Sequence, residues 1–191
     1  MKKILLHTLL PLFLLGAFYT AKAQLQISEP DKSPMDLIYY PHAYPVLKFQ
    51  SKNPPARPTA RVIYSRPQKK GRVIFGGDIV KYNEVWRLGA NESTEIEFFT
   101  NASLGGKKIP KGRYSLFCIP QAGKWTIIIN KDTDSWGAFS YKAANDLLRH
   151  DLPTKKMDES LEYFTMAFDT DGKLIIAWDD VRVNVPFVYT K

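Results

Sequence analysis

The chain carries one cysteine, Cys118, and three histidines, and both scarcities exclude chemistry. A lone cysteine closes no intramolecular disulfide, so stability has to come from a core rather than from cross-links. Cys118 falls in the alternating run Tyr114–Ile119, where a thiol serves as a small buried hydrophobe and nothing marks it as an activated nucleophile. Beyond the first ten residues only His42 and His150 remain, and neither has a second histidine at metal-ligand spacing. No metal site and no cofactor are therefore expected. The G-x-S-x-G turn of serine hydrolases is missing, as are the glycine-rich patterns that cradle phosphates or dinucleotides. His150 could pair with Asp151 or Glu162, but a lone histidine is more often a polar surface residue.

Only one long apolar run exists, from Ile4 to about Tyr19. Lys2 and Lys3 precede it and Ala21-Lys22-Ala23 follows, which is the layout of a signal peptide with an A-x-A cleavage site. The run falls short of the roughly 20 apolar residues of a membrane span, and Pro11 interrupts it. Residues 1–23 are read as a cleaved signal peptide, with a retained N-terminal anchor as the alternative. Gln24 stands where a lipoprotein would have cysteine. The product is expected to be exported, periplasmic or secreted, not a lipoprotein and without stable membrane insertion after cleavage.

The formal net charge of +8 drops to +5 once Lys2, Lys3 and Lys22 leave with the leader. The remaining positive residues are scattered, so no nucleic-acid partner is expected. Lys69-Lys70-Arg72 and Lys107-Lys108-Lys111 are the densest groups, and both read as solvated turns.

Seven prolines between Pro30 and Pro58 predict an extended arm over residues 24–59. The apolar stretch Asp36–Tyr40 within it predicts docking on the rest of the chain. From residue 60 onward short alternating runs succeed one another: 60–64, 72–75, 94–100, 113–119, 125–130, 161–168, 173–178 and 181–187. Gly105-Gly106 and Asp171-Gly172 are hairpin signals. The single helical candidate is 141–148. Residues 60–191 are read as an antiparallel two-sheet β-sandwich, with jelly-roll and immunoglobulin-like topologies both open.

Two runs are distinctive: Val85-Trp86-Arg87-Leu88-Gly89-Ala90-Asn91-Glu92-Ser93-Thr94, and Gly106 to Leu116 with its Ile-Pro-Lys-Gly-Arg-Tyr-Ser centre. Together with Trp125–Asn130 they resemble the domain-of-unknown-function family numbered 2911, exported proteins mainly of Bacteroidetes and relatives. The resemblance covers about Ser33 to Val185. It implies export and a β-rich fold, and it supplies no catalytic residues.

The candidate site residues come from chemistry. In the Gly-Ala loop, Glu92 is a candidate acid, base or hydroxyl acceptor, Arg87 an anion clamp and Asn91 an orienter. The structural alternative, weighted ahead, is a half-buried Arg87–Glu92 ion pair that pins the loop. Asp132-Thr133-Asp134 lacks the further oxygens of a calcium loop and reads as a turn. Trp136, in a polar loop, is the tryptophan expected at the surface, where it could stack a sugar ring while Asp134, Asp132 or Asn130 takes hydroxyls. Trp125 is expected in the core. The favoured function is a non-catalytic binding module of the cell envelope for a small molecule, glycan or envelope protein. The alternatives are a glycan or peptide hydrolase using Glu92 with Glu95, Glu97 or Asp179, and a structural envelope protein docked through its arm.

Overall fold

The computed structural model describes residues 28–190; the leader expected at 1–23 lies outside them. Seven strands make one large antiparallel sheet. They are β1 (Met35–Tyr40), β2 (Ala60–Ser65), β3 (Glu95–Phe98), β6 (Gly112–Pro120), β7 (Lys124–Asn130), β8 (Asp146–Phe168) and β9 (Leu174–Val185), neighbours in that order. A small sheet holds β10 (Val188–Tyr189), β4 (Ala102–Leu104) and β5 (Lys107–Ile109). The chain is thus mostly β, with two antiparallel sheets.

Alternation decides which face is wet. In β3, Ile96 and Phe98 are buried while Glu95 and Glu97 lie on the outer face. Partner strands repeat this: Ile96 lies between Val62 and Tyr114 on the core side, and Arg61, Glu97 and Arg113 line up outside. Opposite charges directly across the strands then pair, with Arg61 Nη2 2.7 Å from Glu97 Oε2.

The large sheet curls because β8 is long and serves two partners. Its first part pairs with β7 from Asp146 to Pro153, and the rest pairs with β9 from Thr154 to Phe168, with two register breaks. Its far half also meets the chain leaving β2: Phe164 N–H donates to Pro67 O at 2.9 Å and Lys69 N–H to Glu162 O at 2.7 Å. The interior holds Trp86, Trp125, Trp178, Phe75 and Phe164 in mutual contact. Ala102, Leu104 and Ile109 of the small sheet belong to the same core. Cys118 is fully buried in it, and burial raises its thiol pKa well above the ordinary value.

Several expectations need correction. The proline-rich segment is not simply extended: β1 pairs with β2 along all six residues, and a short helix α1 (Tyr44–Gln50) follows. Pro45 is tolerated at the helix start because the first turn's N–H groups lack intrahelical partners anyway. Residues 72–75 form no strand; Phe75 only bridges Val80. The expected helix at 141–148 shrinks to a 3-10 turn, Ala143–Asn145, since Leu148 pairs with Ile129 across the β7–β8 ladder and is buried. The two last expected strands are one, β9, with Asp179 at φ 51 between them. Gly105-Gly106 does turn β4 into β5, and a Cβ at Gly105 would lie 2.4 Å from the His150 ring, so only glycine fits.

Candidate functional site

The run Val85–Thr94 enters the core at Trp86, whose N–H donates to Cys118 O at 2.7 Å while Cys118 N–H returns to Trp86 O at 2.9 Å. It then doubles back tightly. Thr94 Oγ1 donates to Leu88 O at 2.6 Å, and the Trp86 indole N–H donates to Gly89 O at 3.2 Å. Leu88 and Asn91 both take left-handed backbone, at φ 56 and 59. For a bulky leucine this conformation is strained and persists only where the surroundings dictate it.

The Asp132–Phe139 loop lies directly against this turn, and the two are zipped together. Ser93 N–H donates to Ser135 O at 2.9 Å, and Gly137 N–H donates to Asn91 O at 2.9 Å. The Ser93 hydroxyl donates to Gly137 O and lies 2.9 Å from the Ser135 hydroxyl, which is then left to donate to it. Glu92 and Trp136 form an isolated antiparallel bridge. Two segments that sequence treated as separate candidates are therefore one structure.

Below the zipper the outer sheet face supplies a base. Arg113 Nε lies 3.3 Å from Glu95 Oε2, its Nη2 donates to Asp134, and Asp134 N–H donates to Glu95 Oε1 at 2.6 Å. Sheet and loops enclose a hollow of about 440 Å³. Its floor is Met35, Ile63, Glu95 and Arg113, and its rim carries Glu92, Asp134 and Trp136. Trp136 is 60 % exposed and Met35 53 %, so the hollow offers apolar surface beside carboxylates. A site of this volume with a few convergent polar groups is the usual form of a small-ligand pocket.

Of the candidate residues, Glu92, Asp134 and Trp136 line the hollow, whereas Arg87 and Asn91 do not. Arg87 and Glu92 make no ion pair. The bridge to Trp136 faces Glu92 outward, while the Arg87 stem lies behind the zipper at Gly137. The Arg87 Nε is buried without a hydrogen-bond partner, and burial lowers the guanidinium pKa. Asn91 contributes its backbone carbonyl to the zipper. Asn130 and Asp132 are occupied: Asn130 donates to Asp146 at 2.8 Å, and Asn145 donates to both Asp132 oxygens at 2.8 and 2.7 Å. Asp179 belongs elsewhere, held by Lys69 and by the Ser160 hydroxyl at 2.7 Å, and these donors keep its pKa low against the opposing effect of burial. Trp125 is in the core, 1 % exposed.

Sequence reasoning missed Met35, Ile63, Ser93, Ser135 and Arg113. For Arg113 a signal existed: it lies on the outer face of β6 as Glu95 does on β3, so pairing of the strands brings them together.

The chain matches, over residues 50–187, the family model described as "Protein of unknown function (DUF2911)". Neither the curated proteins nor the solved structures yield a match.

Proposed function

The chain belongs to this family of proteins of unknown function, and we propose that it is an exported, non-catalytic binding module of the cell envelope whose ligand is a glycan. The observation that carries the reading is Trp136, 60 % exposed on a loop held by hydrogen bonds, over a hollow with carboxylates at its rim. A saccharide ring presents an apolar face that stacks on indole and hydroxyls that carboxylates accept. In this proposal the two sheets are the leaves of a β-sandwich, a reading supported by the single core they share.

Hydrolysis would need two of the three carboxylates at the hollow, Glu92, Glu95 and Asp134, and Asp134 is tied to Arg113. Glu95 is engaged by Arg113 and by a backbone N–H, and Glu92 is exposed with no side chain to orient it. That favours binding over turnover. A purely structural role through the arm is disfavoured by β1, which pairs with its own domain.

The test is fluorescence. Of four tryptophans, three are at most 6 % exposed, so quenching by a bound glycan reports Trp136. Soluble cell-wall and plant glycans should shift the emission of wild type and not of Trp136→Ala, without release of new reducing ends. Silence across the panel sinks the reading. Export is tested by fractionating cells that carry the full chain; retention in the cytoplasm would contradict it.

A further inference from the structure

The three carboxylates at the hollow do not stand alike. Glu95 and Asp134 share one guanidinium, that of Arg113, whereas the Glu92 carboxylate makes no hydrogen bond or ion pair with any described residue. One guanidinium against three carboxylates leaves the lining at net −2, on a chain whose total is +8, or +5 without Lys2, Lys3 and Lys22. A concave patch of opposite sign to its surroundings concentrates counter-charged ligands, because low-dielectric walls focus the field.

Geometry then couples this charge to the aromatic platform. Glu92 and Trp136 are direct partners in an antiparallel bridge. Side chains so paired leave the same face with Cβ atoms about 4.5–5.5 Å apart. A ring lying on the indole therefore carries its edge substituents to the Glu92 carboxylate. The indole face itself attracts cations. Met35 and Ile63 line the floor with apolar surface that suits the body of such a ligand and offers no competing charge.

We infer that the ligand is an amine-bearing saccharide, its protonated amino group paired with Glu92 while its ring stacks on Trp136. This rests on the glycan reading above and narrows it. Glu92 is the specificity-determining residue and Trp136 the general platform. Arg113 is a positioning residue that holds Glu95 and Asp134 and leaves Glu92 as the carboxylate without a partner among the described residues.

The experiment compares a β-1,4-linked glucosamine tetramer with its fully N-acetylated counterpart, equal in length and different in charge. Both are titrated against the full chain and against Glu92→Gln, followed by Trp136 fluorescence. The free-amine tetramer should bind about tenfold more tightly, the sum of an exposed charge pair and a cation–aromatic contact. The preference should fade as pH rises through the amine's titration, and should fall severalfold in Glu92→Gln, whose melting should match wild type because residue 92 is exposed. Equal binding of both tetramers, or a preference undiminished in Glu92→Gln, overturns the inference and leaves the glycan reading standing. Failure of both tetramers and of the neutral glycan panel overturns the two together.

Discussion

Trp86, Trp125 and Trp178 are each at most 6 % exposed and share the interior with Phe75 and Phe164, whereas Trp136 is 60 % exposed and stacks on no aromatic ring among the described residues. The difference does not come from a loose loop. Trp136 is flanked by Ser135 and Gly137, both fixed by hydrogen bonds to Asn91 and Ser93, so its indole is held away from the core by backbone geometry. The interior spends its aromatics on cohesion, and the cleft keeps one facing water on a rigid mount. On the proposed reading, this large apolar side chain held exposed on a rigid loop is the platform for a ligand.

The largest effect that tests this contrast is in the core. Trp178 stacks on Trp86 at 6.1 Å and 19°, and Trp178→Ala should cost about 3–5 kcal/mol in urea unfolding. A loss below about 1 kcal/mol would mean the interior is not the source of cohesion.

Alkaline pH gives the next effect. Burial, with a smaller contribution from Asp36, pushes Tyr64 up to about 12 from 10.0. A group raised in the folded state stabilises it fully below the unfolded value, so this contribution holds up to about pH 10 and is lost as pH rises toward about 12. The loss is about 2–3 kcal/mol. Tyr64→Phe should be less stable at neutral pH, because Met166 N–H loses its 3.0 Å acceptor, yet should decline less steeply over that alkaline window. An unchanged slope would contradict the assignment.

Much of the core half was legible in the sequence and much of the cleft was not. The alternation of Glu95, Ile96, Glu97 and Phe98 identified the wet and dry faces of β3, and Asp171-Gly172 marked the turn into β9. Both signals are local. The zipper is not: Ser93 and Ser135 are 42 residues apart and carry no pattern that pairs them. Arg87 misled for the same reason, since proximity to Glu92 in sequence says nothing about which side of the loop each faces. The helix expected at 141–148 failed because β7 offers Leu148 a buried ladder position, and pairing overrode local preference.

Smaller effects sharpen the cleft half. Ser93→Ala removes the hydroxyl shared between Ser135 and Gly137 and should cost about 1–2 kcal/mol. It should also change the collisional quenching of Trp136, because the loop loses a tether. Unchanged quenching would mean the backbone bonds suffice to hold it. Smallest of all, Trp136→Ala should stay within about 0.5 kcal/mol of wild type in chemical unfolding while erasing the response to ligand. A large destabilisation would make Trp136 a packing residue after all.

The most direct measurement is a map of backbone amide shifts while a neutral β-linked glycan is added to the protein. Shifts should gather at Glu92–Glu95, Arg113 and Asp134–Trp136 and leave a second, larger hollow, of about 740 Å³ around Tyr40, Phe187 and Tyr189, unmoved. Shifts that gather at that second hollow, or none at saturating glycan, would contradict the assignment of the cleft.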